Sequence, residues 1–123
     1  MIISSQDAPV FHQHGATAVG YASPSRGATD LSLWRLSLAP GEASPPHSLS
    51  REEVFLALSG SAIATIAGVE HPFAGGDCLV VPVGEPFILA AGDEGLDAVC
   101  AMAAGGQATL LPDGPTISPP WAT

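Results

Sequence analysis

The sequence contains no lysine and only three arginines, Arg26, Arg35 and Arg51, against twelve acidic residues. With a formal net charge of −9 it cannot build the cationic stripe that displaces counterions from a phosphate backbone, which excludes nucleic acid as a partner. The same charge disfavours anionic membrane surfaces, and the absence of lysine excludes Schiff-base chemistry. No apolar window approaches the length of a membrane span, so no membrane partner is expected. The start MIISSQDAPV lacks the basic region and apolar stretch of a secretory signal. Cysteine is limited to Cys78 and Cys100, both inside apolar runs, which reads as a cytoplasmic protein with buried, reduced thiols. Also missing are any helix-period pattern of useful length, a Ser–His–Asp order, a phosphate-binding loop and the Cys-x-x-Cys and His-Glu-x-x-His motifs.

What is present is a strand-and-turn rhythm. Glycine and proline supply 14 and 12 of the 123 residues, which leaves room for short strands and tight turns but little for helices. LSLWRLSLAP from Leu31 places Trp34, Leu36 and Leu38 on one face by period two, with Arg35 and Ser37 on the other. Pro45-Pro46 enforces extended backbone into His47. VFLALSG reads as an apolar strand turned by Gly60, with SAIATIAG as the next. Glu70 to Phe73 reads as an edge segment, because Pro72 cannot donate to a central ladder. PFILAA and LDAVCAMAA follow as two strands separated by the turn GDEG. About eight strands result, an all-β sandwich or barrel. His12 and His14 form a His-x-His pair without a third ligand at suitable spacing, and are read as a surface loop.

Two stretches carry the rest. In GEASPPHSLSREEVFLALSG, Gly41, His47, Glu53 and Gly60 are separated by six, six and seven residues; GDCLVVPVG runs from Gly76 through Pro82 to Gly84. These resemble the two signature motifs of the cupin superfamily, G-x5-H-x-H-x3,4-E-x6-G and G-x5-P-x-G-x2-H-x3-N. Leu49 and Phe87 stand where the second and third histidines of that pattern fall, and Ala91 where its asparagine falls. The resemblance implies a cupin double-stranded β-helix, a jelly-roll-like barrel, over residues 29–104. Residues 1–28 would belong to the barrel edge or a dimer contact, and residues 105–123 would form a Pro-rich arm whose Trp121 packs on the barrel or on a second subunit.

The resemblance also implies a pocket lined by His47, Leu49, Glu53, Phe55 and Phe87. A full cupin site holds a divalent transition metal with three imidazoles and a carboxylate. Only His47 and Glu53 remain as candidate ligands here, so no metal cofactor is expected; one held by these two with recruited partners is the alternative. Leucine and phenylalanine offer no lone pair and make the pocket dry. His47 and Glu53 are the candidate catalytic residues if the pocket is an enzyme, either a metal-dependent oxygenase or isomerase or a metal-free acid–base catalyst using His47. The favoured reading is a binding module for a small-molecule ligand. The plainest alternative is that His47 only satisfies backbone groups at the barrel mouth. On a jelly-roll layout the Glu53 strand separates the strands of Cys78 and Cys100 by roughly 9–10 Å, too far for a disulfide. Exposed sheet edges and a high apolar content imply a homodimer.

Overall fold

A computed structural model describes residues 1–13 and 15–123. Among these residues ten strands run in chain order: β1 Val10–Gln13, β2 Ala16–Ala22, β3 Leu31–Leu38, β4 His47–Leu49, β5 Glu53–Ile66, β6 Val69–Ala74, β7 Cys78–Val81, β8 Phe87–Ala103, β9 Ala108–Leu110 and β10 Thr116–Ile117. All pairings are antiparallel. One sheet path reads β1-β2-β3-β8-β4-β9-β10, and β5 pairs with β6, β7 and β8. The result is an all-β roll whose two walls share β5 and β8. No helix among the described residues is long and apolar enough to cross a membrane.

Sharing depends on two bends. Gly60 does not turn the chain as the sequence suggested; β5 continues through it with register shifts at Ala57/Ser59 and Gly60/Ala62. GDEG likewise lies inside β8 rather than between two strands. Gly60 and Gly95 adopt φ of +78° and +76°, the left-handed region open to glycine, and a Cβ on Gly60 would overlap the Gly95 carbonyl. The two bends therefore sit on one another. Hydrogen bonding resumes on each side, so one strand serves both walls.

Period-two alternation fills the interior. Phe55, Ala57, Ala62 and Ala64 from β5 meet Phe87, Leu89, Leu96, Ala98, Cys100 and Met102 from β8, with Trp34 and Leu38 from β3. Pro72 lies on β6, which pairs only with β5 and is an edge strand. Both cysteines are free, and the β5 pair Leu56 and Phe55 stands between them, opposite Cys78 and Cys100 respectively. Cys78 corrects the expectation of two buried thiols: it is exposed, because Leu79 and Val81 take the inward positions of β7. His12 is also corrected, lying on β1 opposite Thr17 rather than in a loop; His14 lies outside the described residues.

Candidate functional site

Within the roll lies a cavity of about 160 Å³, and all five residues singled out by the motifs line it. Each arrives by strand geometry. His47 and Leu49, two apart on β4, face the same way, as do Glu53 and Phe55 on β5. His47 stands opposite Phe87 in the β4–β8 ladder, and the two rings pack with centroids 4.0 Å apart. Phe55 meets the edge of Phe87 at 6.4 Å. Leu49, Phe55 and Phe87 are buried.

The polar groups are few. His47 Nδ1 lies 2.8 Å from the Pro45 carbonyl. A carbonyl only accepts, so Nδ1 carries the proton, and Nε2 keeps its lone pair with no partner among the described residues. Burial pushes the His47 pKa down, opposed by the bond to Pro45. Glu53 is only 7% exposed and its carboxyl makes no hydrogen bond to any described residue. Burial raises its pKa from the ordinary 4.5 to about 8, so it is protonated at neutral pH. Buried Cys100 is raised by desolvation and then by Glu53.

No hydrogen bond or ion pair joins His47 and Glu53 among the described residues. Among the described residues the sole ion pair is Arg35–Asp97, on the outer face of the sheet. Each site group instead answers to its own surroundings: one base and one acid, both neutral.

Of the motif's four ligand positions, only two carry metal-binding groups, His47 and Glu53. Leu49 and Phe87 occupy the remaining motif positions, and no group of three or more His, Cys, Asp or Glu gathers among the described residues. His71 lies on edge strand β6 and Cys100 on β8, and neither lines the cavity with His47 and Glu53.

Several walls escaped the motif reading. Trp34, Leu36 and Leu38 contribute the inward face that their alternation announced. The C-terminal arm contributes Ile117, Pro119 and Trp121. Trp121 sits in a short 3-10 turn, Pro120–Ala122, edge-on to Phe11 at 6.3 Å. The arm is fastened by Ser32 Oγ donating to the Ala122 carbonyl at 2.6 Å and by Arg26 Nη2 donating to the Trp121 carbonyl at 2.6 Å. Only the presence of a tryptophan in a proline-rich tail hinted at this.

Comparison with known proteins gives a coherent result. The family model described as "Cupin domain" matches residues 34–102. Dimethylsulfoniopropionate lyase DddW of Ruegeria pomeroyi is 37% identical over 67 residues, 54% of this chain and 44% of that protein. This chain thus matches less than half the length of that relative. The polyketide cyclase RemF from Streptomyces resistomycificus superposes with a TM-score of 0.77 at 17% identity, over 93% of this chain and 87% of RemF. Bacillus subtilis oxalate decarboxylase, a protein with Mn(II) centres, superposes at 0.74 and 23% identity over 83% of this chain and 29% of its own. At such identities the two structures speak for the fold alone.

Proposed function

From the premise that this chain belongs to the cupin family, we propose that its cavity binds a small, largely apolar molecule carrying a polar handle. The observation that carries this reading is the carboxyl of Glu53, which lines the cavity among Phe55, Phe87 and Leu49 and has no hydrogen-bond partner among the described residues. The carboxyl opens on the cavity, so a ligand group placed there can make the hydrogen bond that the described residues leave unmade. His47, fixed by Pro45, offers a second anchoring point through Nε2. Concave, apolar cavities with a few convergent polar groups are the usual form of a ligand site.

A fragment screen by ligand-observed NMR tests the reading, with His47→Ala as control. Hits are expected that weaken by roughly tenfold, about 1.4 kcal/mol, in that variant. Hits bound equally well by both proteins would reduce His47 to a structural role. Elemental analysis of protein purified without a metal-affinity tag is the companion measurement. Near-stoichiometric metal, lost in His47→Ala, would overturn the metal-free reading and bring the oxygenase alternative forward.

A second reading, acid–base turnover, is favoured by the opposite proton assignments of the two groups: Glu53 holds a proton while His47 Nε2 can take one. The relative DddW is named as a lyase, and an elimination needs a base. Under this reading Glu53→Gln keeps ligand binding but abolishes turnover, whereas a binding module has no turnover to lose.

We also propose that two copies pair through the outer face of β3, β8, β5 and β7. There Leu33, Ala101, Val54 and Val80 form one continuous row.

A further inference from the structure

Resting on the reading of the cavity as a ligand site, we propose that it admits neutral, ring-sized molecules carrying both a hydroxyl and a carbonyl group. It turns away the corresponding anions and cations.

Size comes first. At about 160 Å³ the space is close to the cavity of about 150 Å³ that holds one benzene. Aromatic and aliphatic walls from Trp34, Phe55, Phe87 and Leu89 suit a flat ring.

Charge is set by what is missing around the two polar anchors. None of the three arginines lines the cavity: Arg35 is paired with Asp97, Arg26 holds the C-terminal arm and Arg51 is exposed. An anion would enter without a counter-charge, which is far costlier than burying a neutral polar group. A cation fares little better. It would require Glu53 to ionise, and among the described residues no side chain donates a hydrogen bond to that carboxyl. The Nδ1 proton of His47 is already committed to Pro45. An ion pair formed in that setting recovers poorly what its two charges lose on leaving water.

Hydrogen-bond polarity then fixes the functional groups. Protonated Glu53 is a donor and needs an acceptor, which a carbonyl supplies. His47 Nε2 is an acceptor and needs a donor, which a hydroxyl supplies. The titratable groups facing Glu53 are His47 from β4 and Cys100 from β8; its ladder partners Val81 and Met102 are neutral.

A matched series tests this on the intact protein by calorimetric titration at about pH 6.5. The members are 4-(hydroxymethyl)benzaldehyde, 4-(hydroxymethyl)benzoate and protonated 4-(hydroxymethyl)benzylamine. They share the ring and hydroxyl and differ in charge. The aldehyde is expected to bind tighter than either ion by roughly tenfold or more. Its affinity should fall as pH rises through about 8, where Glu53 ceases to donate. In Glu53→Gln, which keeps a donor and carries no charge, that fall should vanish. Wild-type protein alone decides the charge question if the variant folds poorly. A charged member binding as well as the aldehyde would overturn this inference while leaving the ligand site intact. So would silence from all three alongside hits of other chemistry in the fragment screen. Silence in both experiments would overturn the ligand site as well.

Discussion

Glu53 ties the stability of the fold to its site. Its carboxyl is raised by burial from 4.5 to about 8. Between those values the native state holds a proton that the unfolded chain has released. Stability therefore falls as pH rises through this window, by up to ~1.4 kcal/mol per pH unit, and levels off above it. His47 works in the opposite sense. Burial depresses its pKa below 6.5, so it withdraws stability as pH falls below that value, when the unfolded chain takes a proton the native ring refuses. Below 6.5 the two trends oppose each other; between 6.5 and about 8 Glu53 acts alone. Urea unfolding across that interval is expected to show declining stability in the wild type and a flat profile in Glu53→Gln. A flat wild-type profile would mean that Glu53 is solvated and charged, and the donor assignment would fall with it. Nothing in the spacing of the motif announces this proton. The pattern identifies a glutamate on an inward strand position, but its lack of partners depends on which side chains the roll brings around it.

At the scale of elements, the bends in β5 and β8 and the C-terminal arm decide whether a cavity exists. Gly60→Ala meets two penalties: roughly 1–3 kcal/mol for a left-handed alanine and a further 1–3 kcal/mol for overlap with the Gly95 carbonyl. Gly41→Ala also has positive φ but open space around its Cβ, so it incurs only the first. Denaturant midpoints should rank wild type above Gly41→Ala and Gly41→Ala well above Gly60→Ala. Equal losses would show that the two bends do not bear on each other. For the arm, Ser32→Ala leaves the Ala122 carbonyl without its buried donor, a cost of about 1–3 kcal/mol. Trp121 fluorescence should shift to the red as that wall loosens, and the shift should be absent if the arm is held elsewhere.

These elements mark how far the sequence can be read. Strand positions follow from alternation, and the site strands from the spacing of His47, Glu53 and Phe87, because both are local patterns. Gly60 and GDEG looked like turns because glycine signals departure from regular backbone without saying whether the ladder resumes beyond it. The contacts of Ser32 and Arg26 with the arm join residues ninety or more apart, and no local pattern encodes them. Cys78 was misread for a related reason: an apolar run does not reveal its inward face when both faces are apolar.

That apolar outer face is the main feature of the whole molecule left without a role. Leu33, Ala101, Val54 and Val80 align across four strands, and Val99, Leu56 and Cys78 align beside them. Leu56 is 44% exposed and Val80 50%. Asp97, in the row next to Val99, is paired with Arg35. A chain of net charge −9 repels its own copy, so an apolar face whose adjoining carboxylate is paired is a surface on which two copies meet at low cost. Light scattering is expected to give twice 12.3 kDa. Association should strengthen as salt screens the remaining repulsion, with the Debye length falling from about 10 Å at 0.1 M to about 3 Å at 1 M. Leu56→Glu introduces an unpaired charge at the centre of the face and should yield monomers. Cys78, covered in the dimer, should then react faster with a thiol reagent, whereas Cys100, buried within the roll, should stay protected in both states. A wild-type mass of 12.3 kDa at all concentrations and salt levels, with Cys78 equally reactive in wild type and Leu56→Glu, would leave this face bare and the chain a monomer.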